Sequence, residues 1–356
     1  MRKWIAWVAQ GGQNSRVRSR DERAIWSDLR ATRYAPPGDA DSHRERRATY
    51  VAGLQQAEEL FRAASGSGPA SSPLLLFYGL SQAGRAIAAA AVGQRADDWR
   101  LSGHGIKAQP LNADLPDIKV VAQPNDGKAS YVRLSRIVGS PIWSGAGSPL
   151  LFRLWDAIPE MINHPLRAKE ERRVPLLAIP NSSLDGHQMV SAQVSGFPRY
   201  LAGGNASRAD FDTFMASYPS AHGYIPVIDQ TDKPQYHDYS DIDGLSVQMG
   251  WEAGPTYPVP EEIRVARLNA VVRPYTRGSF YLFPATVAGA EPLHPLMTWW
   301  AVLYTLSMLA RYQPAEWARW IDINHSEYAN AVEHLLGEAQ NVVPEIILTT
   351  LSIVTT

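Results

Sequence analysis

A chain of 356 residues, 45% hydrophobic and 19% charged, holds enough apolar material for one large domain or two of roughly 100–200 residues. Its formal charge of -1 excludes a globally basic nucleic-acid binder. The absence of cysteine excludes disulfides, thiolate metal sites and a cysteine nucleophile, and suits a reducing cytoplasm. The charge is unevenly spread: residues 1–50 hold eleven Lys/Arg against six Asp/Glu, and residues 313–345 hold Arg319 alone against six acids. The two ends either match within the molecule or leave a basic N-terminal segment to face RNA or DNA.

At the N-terminus, a short apolar run is broken by Gly11, Gly12, Gln13 and Asn14, too early for a signal-peptide core. Residues 41–64 are predicted as a helix. Ser42 and Glu45 stand at capping-box spacing, and Tyr50, Leu54, Ala57, Leu60 and Phe61 repeat at helical intervals. A Ser/Gly-rich turn over 65–72 follows. A second helix then starts with Ser72 as N-cap and Pro73 as first helical residue, runs toward Gly93, and is apolar around much of its circumference.

From about residue 110 to 290 the chain becomes rich in Pro, Gly and short β-branched runs. Candidate strands are 118–122, 129–134, 174–178, 188–194, 263–268 and 279–283, with short helices at 150–155 and 210–215. Helices return with His294–Arg311, HPLMTWWAVLYTLSMLAR, and continue after Pro314 to the end. Pro295–Ala310 is short for a membrane span and carries Thr298, Thr305 and Ser307, so a buried central helix is expected. The predicted fold class is α+β. A discontinuous helical bundle forms from residues 1–108 and 291–356, and a mostly antiparallel β region, 109–290, is inserted between them.

Four places carry side chains suited to chemistry. Gly79-Leu-Ser81-Gln-Ala-Gly84 approximates the strand–serine–helix elbow of a serine hydrolase. That role needs His104 or His187 as base, with Asp117 or Asp185 behind it; against it, Ser72 and Pro73 start one continuous helix through Ser81. Next, Arg95 and Arg100 precede His104 in a loop: an Arg can stabilise charge on a transferring phosphate and a His can move the proton of the attacking hydroxyl, with no metal required. The alternative is that Ser102 and His104 simply pin this loop. Arg319 and His325 repeat the pairing at a helix boundary, where a structural role is equally open. Finally, His237–Asp243 gathers three Asp and a His at a spacing that matches no metal loop, so a solvated acidic loop is expected. No Walker A or dinucleotide motif is present, and no cofactor or metal is expected.

The segments Leu74–Ala90, Ser102-Gly-His-Gly-Ile106 and His294–Leu351 resemble the YaaC-like proteins. That resemblance implies a bacterial, cytoplasmic, soluble protein, with no assigned activity or catalytic residues. The helix FYGLSQAGRAI followed by a Ser-x-His-Gly loop also resembles HEPN-type helical domains. In these an Arg and a His separated by four to six residues form a ribonuclease centre, often in antiviral defence or toxin systems. Arg100 and His104 have three residues between them, Arg95 and His104 eight, and Arg319 and His325 five. Two function classes therefore stand: a non-catalytic sensor or scaffold that binds a protein or nucleic-acid partner, or forms a homo-oligomer, and a metal-independent ribonuclease.

Overall fold

The structure is a computed structural model that describes residues 22–125, 127–143, 145–168, 172–181, 188–238, 244–255, 257–276 and 278–356. By contacts they divide into two compact units, residues 22–172 with 293–356, and residues 173–292. The first unit begins with α1 (Glu22–Tyr34), α2 (Asp39–Ser42), α3 (Arg44–Ser65) and α4 (Ser72–Ala90). A two-stranded antiparallel ribbon follows, β1 (Ile106–Gln109) with β2 (Lys119–Ala122), then α5 (Ser130–Ile137) and α6 (Leu151–Asp156). The second unit carries β3 (Leu176–Pro180), β4 (Met189–Phe197), α7 (Arg208–Met215), β5 (Ile225–Pro226), β6 (Tyr236–Asp238), β7 (Leu245–Glu252), α8 (Glu261–Val271), β8 (Arg273–Pro274) and β9 (Phe280–Leu282). The chain then returns to the first unit with α9 (Pro295–Tyr312), α10 (Pro314–Trp320) and α11 (Ala329–Val354).

The fold is α+β, with N- and C-terminal helices packed together and the β region inserted between them in sequence. Helix α4 is the hub: it lies against α3, α9 and α11. Between Ser72 and Ala90 only Leu74, Leu75, Tyr78, Gln82 and Arg85 are partly accessible. They recur at three- and four-residue intervals, so they form one stripe on an otherwise buried helix. Gly84 lets α9 approach closely: a Cβ there would stand 2.6 Å from the ring of Trp300. Helix α9 starts on His294, whose Nδ1 accepts from Leu296 N at 3.2 Å, with Pro295 as first helical residue. It is buried from Pro295 to Leu309. Among the described residues no helix is long and apolar enough to cross a membrane.

In the second unit β5, β7, β4, β3, β9 and β8 lie in that order, with β6 also paired to β7, and every pairing is antiparallel. Alternation along the strands builds its core. Val190, Ala192 and Val194 of β4, with Val247, Met249 and Trp251 of β7, are buried with Phe211, Phe214 and Met215 of α7 and Leu268 and Val271 of α8.

Several sequence expectations change. Residues 41–64 are not one helix: His43 is extended (φ -117°, ψ 113°) and separates α2 from α3, so Ser42 ends a helix and makes no capping box with Glu45. The second helix stops at Ala90, three residues before Gly93. Residues 129–134 are helical because Ser130, Tyr131, Val132, Leu134 and Ser135 are all buried, which an alternating strand with one wet face does not satisfy. Residues 263–268 are helical too: Pro260 and the acidic pair Glu261–Glu262 form a helix start, and Leu268 and Val271 turn inward at helical spacing. By contacts, β1, β2, α5 and α6 belong with the helices, whereas composition placed the start of the middle region at 109.

Candidate functional site

His104 stands in the loop between α4 and β1, flanked by Gly103 (φ +56°) and Gly105 (φ +71°). Both angles lie in the left-handed region that glycine adopts without strain. The loop is stitched to the stretch before α5: Ser102 N donates to Lys128 O at 3.1 Å, Ser130 N to Ser102 O at 3.0 Å, and Tyr131 N to His104 O at 3.0 Å. A Cβ on Gly105 would stand 2.4 Å from the Ala129 Cβ. Ser102, whose Oγ also donates to Lys128 O at 3.2 Å, and the His104 carbonyl thus pin the loop and hold the imidazole at a fixed place.

That imidazole lies between Phe77 of α4, at 5.7 Å between ring centres, and Tyr304 of α9, at 5.5 Å. Phe77 and Tyr304 meet edge to face at 5.3 Å. Among the described residues the His104 ring nitrogens have no hydrogen-bond partner. Burial holds its pKa below the usual imidazole value, and the positive charges of Arg85 and Arg311 lower it further, so His104 is neutral near pH 7 and has a lone pair to offer.

Arg85 ends the accessible stripe of α4. Its Nη1 donates to the Ser81 carbonyl at 3.3 Å, to Ser81 Oγ at 3.1 Å and to Gln82 Oε1 at 3.4 Å. Burial lowers its pKa from the ordinary guanidinium value. Arg311, in the last turn of α9, donates from Nη1 to the Tyr78 hydroxyl at 3.1 Å, and its guanidinium lies 5.1 Å from the Tyr312 ring centre. Among the described residues neither Arg85 nor Arg311 forms an ion pair. Burial pushes the Tyr304 hydroxyl up to about 12, with Tyr312 and Tyr78 adding to the effect, so it stays a proton-bearing donor. Two guanidiniums without a carboxylate partner among the described residues, a neutral imidazole and tyrosine hydroxyls are groups of the kind that hold an anion.

The other sequence candidates are placed elsewhere or turned elsewhere. Arg100 is exposed, paired with Glu45 and Asp97, and stacked 5.0 Å from the Trp99 ring centre. Arg95 is exposed in the turn after α4. Ser81 sits inside continuous helix rather than at an elbow, and Asp117 pairs with Arg167; Asp185 and His187 lie outside the described residues. Arg319 pairs with Glu316 at 2.7 Å and His325 Nδ1 with Asp322 at 2.8 Å. They line an open cleft of about 380 Å³ together with Asp114, Trp320 and Tyr328. Asp238 pairs with Arg199, and residues 239–243 of the acidic loop lie outside the described residues, as does the most basic stretch of the N-terminus, residues 1–21.

Sequence reasoning looked for an arginine near each histidine along the chain. The partners of His104 instead come from Arg85, one helix earlier, and from Arg311, Tyr304 and Tyr78 on two packed helices. Arg85 is marked in the sequence by the polar break it makes, with Gln82 and Tyr78, on an apolar helix. Arg311 reads only as a favourable charge at a helix C-terminus.

The fold and site define an α+β protein whose helical unit carries Arg85 and Arg311 close enough to His104 for their charges to act on it. The family model of the YaaC-like proteins matches residues 25–351, and the chain belongs to that family. No curated protein matches it, and no solved structure does.

Proposed function

We propose that this protein is a non-catalytic binding or sensor protein whose helical unit recognises a phosphate-bearing ligand through Arg85, His104 and Arg311. The observation that carries the reading is the pairing state of the two arginines. Arg85 donates to oxygens one turn back on its own helix, Arg311 donates to the Tyr78 hydroxyl on α4, and neither meets a carboxylate among the described residues. Arg85, half-buried, has lost part of its water and gains from an incoming oxyanion, since charge-assisted hydrogen bonds are about twice as strong as neutral ones. The cytoplasm, a bacterial defence system, and a partner protein, second copy or nucleic acid as ligand carrier are the setting we propose.

The test is titration of the intact protein with inorganic pyrophosphate and with single-stranded RNA. Saturable binding that weakens with salt and disappears in Arg85→Gln and Arg311→Gln is expected. Unchanged binding by the double variant would sink the proposal. One observation favours a second reading from the same residues. A neutral His104 beside two cations is suited to take a proton from a ribose 2′-hydroxyl while the arginines steady the phosphate charge. RNA cleavage in EDTA that vanishes in His104→Ala is the outcome that reading requires.

A further inference from the structure

Resting on that recognition reading, we infer that the ligand group is the terminal phosphate monoester of a nucleotide or of a 5′-phosphorylated strand, rather than a phosphodiester within a chain. The first argument is charge. Arg85 and Arg311 bring two positive charges to one face of α4, at Ser81 and Tyr78, and among the described residues no carboxylate pairs with either. A diester carries a single negative charge and leaves one guanidinium unanswered; a monoester near neutral pH carries close to two. The second argument is donor placement. Arg85 bonds to the Ser81 hydroxyl and Arg311, from α9, to the Tyr78 hydroxyl. These hydroxyls are three residues apart on α4, so the two guanidiniums share one face of that helix, an arrangement that fits a group with three unsubstituted oxygens better than one with two. The third is the neighbour. Tyr312, 56% exposed and with the Arg311 guanidinium 5.1 Å from its ring centre, is an aromatic ring beside that arginine of the kind on which bases stack.

His104 sharpens the discrimination. Its ring neighbours are Phe77 from α4 and Tyr304 from α9, and the charges that act on it are those of Arg85 and Arg311. A dianion seated between the arginines cancels the part of the lowering that their charges cause, while the larger part, due to burial, remains, so the proton affinity of the imidazole rises on binding. Binding a dianion then takes up a fraction of a proton; binding a monoanion leaves at least one opposing charge in place.

The experiment compares one RNA oligomer with a 5′-phosphate and with a 5′-hydroxyl, alongside adenosine 5′-monophosphate and sulfate, by calorimetry on the full chain. The 5′-phosphorylated oligomer is expected to bind about tenfold more tightly or better, with the preference lost in Arg85→Gln and in Arg311→Gln. Arg85→Lys, which keeps the charge but not the fork, is expected to retain part of it. Sulfate remains a dianion throughout, so repeating its titration in buffers of different ionisation enthalpy isolates the proton taken up by the protein; uptake is expected, and is lost in His104→Asn. Mononucleotide affinity equal to that of the oligomer assigns the site to small nucleotides, and stronger oligomer binding assigns it to strand ends. Equal affinity for the two oligomers overturns the monoester inference while phosphate recognition stands. No binding of any of the four probes overturns both.

Discussion

Arg46 and Arg85 both lose water against helix α4 and both donate to its carbonyls, but only one of them meets a carboxylate. Arg46 is 5% exposed, pairs with Asp39 at 2.7 Å, and donates to the carbonyls of Ala89 at 2.7 Å and Ala91 at 2.5 Å, where the helix ends and its carbonyls lack partners. Arg85 is half-buried, reaches only hydroxyl, amide and carbonyl oxygens one turn back, and meets no carboxylate among the described residues. The first arginine completes a structural circuit; the second leaves one open. Partnering therefore separates a guanidinium that holds the fold from one held ready for something else.

The largest test of that contrast is Arg46→Ala. It strands Asp39 and the carbonyls at the end of α4, and unfolding in urea is expected to lose about 3–5 kcal/mol. Arg85→Leu removes a partly desolvated charge with no counter-ion, so its stability is expected to hold or rise by about 1 kcal/mol. A loss as large as that of Arg46→Ala would erase the distinction. Gly105→Ala lies between: it forces a side chain into a left-handed backbone and against Ala129, with an expected loss of about 1–3 kcal/mol and of anion binding together.

Smaller still is the pH effect of His104. Its folded pKa is lowered, so below the unfolded value near 6.5 the unfolded chain binds a proton that the folded one refuses. Stability then falls as pH drops through that value, and levels off below the folded pKa. His104→Asn is expected to flatten that part of the profile. The smallest effect belongs to His325→Ala, since His325 is 79% exposed and tied to Asp322; stability is expected to change by under about 0.5 kcal/mol, with anion binding intact.

Much of the architecture was legible because long apolar periodicity is unambiguous. His294–Arg311 could only be a buried helix, and Leu74–Ala90 its neighbour. Short runs were less so. Residues 129–134 and 263–268 have strand-like composition, and their helical state is decided by burial on all sides in one case and by the acidic start after Pro260 in the other. The candidate site was less legible than the fold. His104 stands out in Ser-Gly-His-Gly, but the charges that act on it come from α4 and α9, whose packing no local spacing encodes. Arg319 and His325 have suggestive spacing, yet each is answered by its own acid one turn away.

The two left-handed glycines around His104 have a kinetic consequence. The loop is bonded to residues 128–131, so the imidazole is held in place without a ligand. For the phosphate ligand proposed above, association is therefore expected to be fast and to slow as ionic strength rises, with the dissociation rate nearly constant.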